Sequence, residues 1–247
     1  MSRADGRNPE DLRPLELVMG YNAWAEGFCL IQLGNTRVLV TATVEDKVPP
    51  FLRGQGQGWI TAEYGMLPRA TQERTVREAA RGRQQGRTVE IQRLIGRSLR
   101  AAVNAKALGE RSILIDCDVI QADGGTRTAA ITAGFLALLQ ALTRLGQRVK
   151  FTAPPINDRL AAVSLGIQNG QVLLDLNYIE DSQIGVDVNV VMLGGHQLVE
   201  IQGTAEHGAF DRQEFNRLLD VAERGVDRII AAGREAFAGG EDLIAAR

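Results

Sequence analysis

The 247 residues include 45% hydrophobic side chains, enough for one sizeable core, and with only two cysteines they exclude a small disulfide-stapled scaffold. Lys and Arg total 28 against 30 Asp and Glu, a formal net charge of −2 with a pI near 5.8. That balance gives no global attraction for a polyanion, so any nucleic-acid site must be local.

Met1 to Pro14 mixes charges, Gly and Pro without an apolar leader, and nowhere do about eighteen apolar residues run together, so a cytoplasmic protein is expected. Strands are predicted over Ala25 to Leu33 and Arg37 to Val44, joined at Gly34-Asn35, whose tolerance of positive φ suits a hairpin turn. Cys29 and Cys117 lie in apolar runs without CxxC spacing and read as reduced core thiols. Pro49 to Gly58 holds too much Gly and Pro for regular structure, and Pro68 to Gly86 shows no sustained apolar period, which predicts a long, partly mobile loop. An arginine-rich stretch begins there: Arg69, Arg74, Arg77, Arg81, Arg83, Arg87, Arg93, Arg97 and Arg100, against Glu73, Glu78 and Glu90, with no Lys. The planar guanidinium fork suits bidentate contacts to phosphate, while Arg93, Arg97 and Arg100 beside Glu90 also fit an ion-paired helix face.

Between Thr88 and Leu108 the apolar residues Ile91, Leu94, Ile95, Leu99, Ala102 and Val103 follow the stripe of an amphipathic helix. A strand is predicted over Ser112 to Gln121, and Thr126 to Leu145 is apolar nearly all round, the pattern of a buried central helix. The second half repeats strands then helix: Leu160 to Ile167, Gln171 to Leu176, Val186 to Met192 and Gln197 to Gly203, followed by one or two helices over Asp211 to Phe237. Two β-then-α runs predict an α+β fold of two similar lobes, approximately 1–145 and 146–247, within a single domain spanning 1–247.

Asp123-Gly124-Gly125-Thr126-Arg127-Thr128 joins a strand to the buried helix. The two glycines let the backbone approach a ligand, the helix amides point outward, and the two threonines offer hydroxyl donors or an N-cap. Arg127 stands where a cation opposes the helix dipole, which favours a bound anion over an ordinary capped turn. Downstream, Asp187 and Asn189 alternate with Val186, Val188 and Val190, and Asp181 lies six residues before Asp187 across a Gly-containing turn. Two carboxylates so placed can supply hard oxygen ligands to Mg²⁺, although a solvated strand face reads the same way. His196 and His207 sit near glycines in turns, no GxSxG, HExxH or GxxxxGK[ST] motif occurs, and Gly54-Gln-Gly56-Gln-Gly58 has the wrong spacing for GxGxxG. A histidine-based mechanism is not expected.

Taken in order, Arg3-Ala-Asp-Gly-Arg7, Gly34-Asn-Thr36, Gly58-Trp-Ile-Thr-Ala-Glu-Tyr64, Met66-Leu-Pro-Arg-Ala-Thr71, the run from Gly86 to Arg100, Asp116-Cys-Asp118, Gln121-Ala-Asp-Gly-Gly-Thr-Arg127 and Glu180-Asp-Ser182 resemble the RNase PH family over almost the whole chain. The resemblance implies a ribosomal-protein-S5 domain 2-like, two-lobed α+β fold assembled as a homohexameric ring, a trimer of dimers. It implies that Arg87, Gly125, Thr126 and Arg127 hold inorganic phosphate as co-substrate and that Asp181 and Asp187 hold Mg²⁺, with Mn²⁺ as the alternative ion, and assist catalysis. It also implies that Arg69, Arg74 and Arg77 grip the acceptor stem of tRNA precursors.

The implied activity is phosphorolytic 3′→5′ trimming of tRNA precursors and other RNA 3′ ends, releasing nucleoside diphosphates and reversible as nucleotidyl addition. Phe28, Asn104 and Asn177 depart from the family pattern, where Ser, Asp and a second acid are usual. Rival readings are a polynucleotide phosphorylase relative, for which the chain is too short to carry KH and S1 modules, a catalytically silent exosome-type ring subunit, and an enzyme of small phosphate metabolites. Arg87, Thr126, Arg127, Asp181 and Asp187 together argue against the silent subunit, and the arginine loop argues against the last.

Overall fold

A computed structural model describes residues 3, 5–206 and 208–246; His207 lies outside the described residues. The first sheet contains β1 (Leu15–Met19), β2 (Gly27–Leu33), β3 (Thr36–Glu45), β4 (Trp59–Met66) and β5 (Ser112–Gln121) in the order β1-β2-β3-β5-β4. All neighbours are antiparallel except β4 and β5. A parallel pair needs a long crossover, here supplied by α1 (Gly86–Ala101) and the single-turn α2 (Ala105–Leu108). The second sheet, β6 (Leu160–Gln168), β7 (Gln171–Leu174), β8 (Val186–Leu193) and β9 (Leu198–Ala205), is antiparallel throughout and ordered β7-β6-β8-β9.

Helix α3 (Thr126–Gly146) lies between the sheets, packing on β2 and β3 on one side and β6 on the other, so its apolar residues have no solvent face to avoid. Ile131, Ala133, Leu138, Leu139 and Leu142 are fully buried; burial of each Ile or Leu side chain contributes about 1.5–3 kcal/mol. Among the described helices α3 alone has the length and apolarity of a bilayer span, and the core accounts for both. Helix α5 (Arg212–Ala236) covers the far face of the second sheet with Leu218, Val221, Val226 and Ile229. With a helix on each face, β6 is buried along nearly its whole length instead of alternating.

The predicted order of strands and helices is present, with local differences. The helix predicted over Thr88 to Leu108 breaks after Ala101, because Asn104 is extended and its side chain accepts from the Ala107 amide at 3.2 Å, starting α2. An Asn caps as well as an Asp there. The strand predicted over Gln171 to Leu176 stops at Leu174, since Asp175 has a left-handed φ of 56°. Both β1 and β4 were missed: β1 is a five-residue edge strand, and the alternation Ile60, Ala62, Tyr64 in β4 is diluted by a small residue and flanked by Gly and Pro. One helix, not two, fills the C-terminal stretch, and Pro68 to Gly86 forms a long exposed loop with one 3₁₀ turn at Glu78–Arg81. Phe28 is buried under the Tyr21 ring, with centroids 6.0 Å apart.

Candidate active site

The N-terminus of α3 opens into a cavity of about 740 Å³ between the two sheets. Arg87 from the first turn of α1 reaches it, as do Gly125, Thr126 and Arg127 from the start of α3, Asp181 from α4 (Tyr178–Asp181) and Asp187 from β8. These residues come from both halves of the chain. Arg69, Arg74 and Arg77 do not line the cavity; they are exposed on the loop whose Thr71, Gln72, Glu73 and Thr75 form its rim.

Gly124 and Gly125 have φ of 76° and 65°, a left-handed pair that turns the chain from β5 into α3. A Cβ on Gly124 would stand 2.5 Å from the Leu176 carbonyl oxygen, so the loop can lie against the second sheet only with glycine there. Gly125 is the N-cap and offers no side chain, leaving the first amides of α3 without a side-chain partner at the cavity. The threonines do not cap: the Thr128 hydroxyl donates to the Gly125 carbonyl at 2.9 Å, and Thr126 accepts from the buried Tyr64 hydroxyl at 2.9 Å.

A set of ion pairs unmarked by any local pattern holds this loop in place. Arg13, 4% exposed, grips Asp175 with two nitrogens at 2.9 and 2.7 Å, and donates to the carbonyls of Asp123 and, at 3.4 Å, Gly124. Arg3 binds both oxygens of Glu180 at 2.7 and 2.5 Å, with Arg7 3.4 Å away. Glu180 and Asn177 form a capping box for α4, each side chain accepting from the other's amide at 3.0 Å. Arg3 and Arg7 thus brace the turn that carries Asp181, and Asn177 is occupied as a cap whose role an acid would fill equally.

The electrostatics divide the cavity into two parts. On one side Arg87 has no hydrogen-bond or ion-pair partner among the described residues, and Arg127 donates to the Gln202 carboxamide oxygen at 2.8 Å, with Glu90 3.7 Å away. On the other side the carboxylates of Asp181 and Asp187 accept no hydrogen bond from any described residue. Burial, and then the charge of Asp181, push the Asp187 carboxyl up to about 6 against the opposing field of Arg127. Asp181 is also raised, by partial burial first, with Arg87 and Arg127 pulling it back. The exposed Glu206 adds negative field at both acids and is a contributor that sequence reading overlooked.

Two facing carboxylates without protein donors fit a divalent cation. Mg²⁺ in particular is held by one or two carboxylates together with phosphate oxygens and water, so two such acids would suffice where a phosphate group is bound beside them. No cluster of three or more His, Cys, Asp or Glu able to hold a metal occurs among the described residues.

Comparison with solved structures shows the same fold. The rice (Oryza sativa) Rrp46 structure aligns with a TM-score of 0.76 at 20% identity, covering 94% of this chain and 98% of that one. The Archaeoglobus fulgidus exosome with RNA bound to the active site gives 0.78 at 21%, covering 93% and 92%. An archaeal exosome core gives 0.72 at 20%, covering 95% and 91%. At these identities the likeness speaks for fold alone. The sequence itself matches the 3′ exoribonuclease family, domain 1 over residues 11–143 and domain 2 over residues 158–225. With most of its length accounted for by both halves of that pattern, this chain belongs to the RNase PH family of phosphorolytic 3′ exoribonucleases.

Proposed function

We propose that this chain is a phosphate-dependent 3′→5′ exoribonuclease that trims the 3′ extensions of tRNA precursors. The observation that carries the reading is the single cavity in which α3's N-terminal amides, Arg87 and Arg127 face the Asp181 and Asp187 pair. In the reaction an oxygen of hydrogenphosphate attacks the phosphorus of the last phosphodiester in line. The bond from phosphorus to the 3′ oxygen breaks, the shortened strand leaves with a 3′ hydroxyl that takes the phosphate's proton, and the released nucleotide is a 5′-diphosphate. Both phosphates are already anionic, so catalysis consists of positioning and neutralisation. Arg87 and Arg127 hold the attacking phosphate from the side chains, and the Gly125 turn holds it from the backbone. Asp181 and Asp187 would hold Mg²⁺, which supplies Lewis-acid stabilisation of the transferring phosphoryl group. Because a diester is exchanged for an anhydride, the reaction also runs in reverse as nucleotide addition.

The exposed Arg69, Arg74 and Arg77 are assigned to the body of the RNA, outside the cavity that takes its 3′ end. One chain of net charge −2 offers few such contacts, and a homohexameric ring multiplies them by bringing neighbouring loops together. Two of the solved structures similar to this chain are exosomes, one with RNA bound to its active site, which supports both RNA as substrate and assembly. A silent scaffold would not need an intact set of cradle and acid pair. The test is incubation of the protein and Mg²⁺ with a 3′-extended tRNA, with and without phosphate. Nucleoside diphosphates appearing only with phosphate support the reading; monophosphates released equally in phosphate-free buffer overturn it.

A further inference from the structure

Arg127 is aimed by a neutral side chain set among acids. In β9, Gln202 pairs in register with Asn189 of β8, and Asn189 pairs with Ser164 of β6, forming one polar row on the face toward α3. Asn189 and Ser164 line the phosphate cavity. At the end of this row the Gln202 carboxamide oxygen accepts from Arg127 at 2.8 Å. Its nitrogen donates to Glu90 at 3.1 Å and to Glu200 at 3.4 Å. An amide nitrogen between two carboxylates cannot exchange places with its oxygen without facing acceptor to acceptor, so the two acids fix which end meets Arg127. Glu200 is in turn held by Arg97 through two contacts of 2.5 Å.

The chemical choice of an amide at this position has a consequence. A carboxylate would form a full ion pair with Arg127 and compete with phosphate for the same guanidinium. An apolar residue would leave Arg127 only its 3.7 Å ion pair with Glu90 and let the guanidinium swing toward Asp187, whose field it already feels. The amide avoids both outcomes: it orients the guanidinium while its nitrogen engages the two nearest acids. We infer that Gln202 is the positioning residue for Arg127, and that the chain Arg97–Glu200–Gln202 sets the affinity for inorganic phosphate from outside the cavity. This rests on the phosphate assignment made above and concerns the regulation of that same site.

The experiment compares Gln202→Met, which keeps length and volume, and Gln202→Glu with the parent protein. Phosphate binding is measured directly by calorimetry without RNA, and kcat and KM for phosphate by turnover on a short RNA. Thermal melting confirms that each variant is folded. The Met variant should bind phosphate about tenfold more weakly, ~1.4 kcal/mol, with kcat at saturating phosphate within about threefold of the parent. The Glu variant should lose more affinity than the Met variant, since it adds competition to misalignment. In an Arg127→Ala background, which supplies the reference loss, Gln202→Met should add little further. Full phosphate affinity in both folded Gln202 variants, or effects that add fully to Arg127→Ala, overturns the inference while leaving the phosphate site standing. A parent protein that binds no phosphate overturns both.

Discussion

The acid pair makes a prediction that runs against the usual effect of removing an active-site residue. Without metal, Asp187→Asn should stabilise the fold. The Asp187 carboxyl has a pKa of about 6 in the folded chain against 3.8 for the ordinary group. The folded state therefore binds this proton more tightly than the unfolded state does, and stability falls as pH rises from about 4 to about 6. Above that window the whole penalty of a buried, repelled charge is present. Two units at about 1.4 kcal/mol each set a ceiling near 3 kcal/mol. Partial exposure, screening by salt and coupling to Asp181 reduce this to roughly 1–1.5 kcal/mol. For a chain of this size that amounts to a rise in Tm of about 2–6 °C. The assay is thermal unfolding of parent and variant in EDTA at pH 8, pH 6 and pH 4. The gap should be widest at pH 8 and close toward pH 4, where the parent carboxyl is protonated. Saturating Mg²⁺ should raise the Tm of the parent and leave the variant nearly unmoved. A variant less stable than the parent at pH 8 in EDTA, or a gap independent of pH, would refute the reasoning.

Arg127→Ala should raise the phosphate concentration for half-maximal rate by about ten- to a hundredfold, matching a lost charge-assisted contact of about 1.5–3 kcal/mol; a steady-state phosphate titration reads it. Arg3→Met leaves Glu180 buried with only the more distant Arg7 and should cost about 3 kcal/mol by urea unfolding. Because Arg3 first counters the burial of Glu180 and holds its carboxyl below the usual range, this contribution is present above the ordinary carboxylate pKa and lost on acidification below it, so the parent and variant should converge in acid. Gly124→Ala combines a left-handed φ with a backbone collision and should destabilise by about 2 kcal/mol or more, with loss of phosphate binding measured by calorimetry. Replacing Arg69, Arg74 and Arg77 with Gln should weaken precursor-tRNA binding and flatten its log–log salt dependence by about 2–3 units, while turnover of a short RNA is retained.

Local signals in the sequence were enough for the long helices and for the glycine turn at the start of α3. The apolar run of α3, the stripe of Ile91, Leu94, Ile95 and Leu99, and Gly124-Gly125 before a helix each depend on neighbours within a few residues, and periodicity reports such neighbours well. Asp181 and Asp187 lie close in sequence as well as in space. What holds them is different in kind: Arg13 with Asp175 is separated by 162 residues, and Arg3 with Glu180 by 177. No spacing rule joins residues so far apart, and each alone looks like an ordinary surface charge. The same applies to Gln202, whose meaning depends on Arg127, Glu90 and Glu200 arriving from three other places in the chain. The hydroxyls of Thr126 and Thr128 were legible as polar groups at a helix start, but the N-cap position belongs to Gly125, because a left-handed turn had to be made there.

The seam at which α3 meets the second sheet has a bearing on how such a protein can change over generations. The proposed anion cradle is built from the first half of the chain and the acid pair from the second, while the core that joins them is made of aliphatic side chains on the body of α3. Under the proposed function, losing Asp181 and Asp187, or losing Arg87 and Arg127, would extinguish turnover without disturbing that core, and the first loss would relieve the repulsion that raises the Asp187 carboxyl. On the same proposal, a duplicated copy freed from the need to catalyse would drift toward a more robust, inert shape with its core intact. On that reading the fold by itself gives no reason to keep either set in the chain, and only the proposed chemistry does.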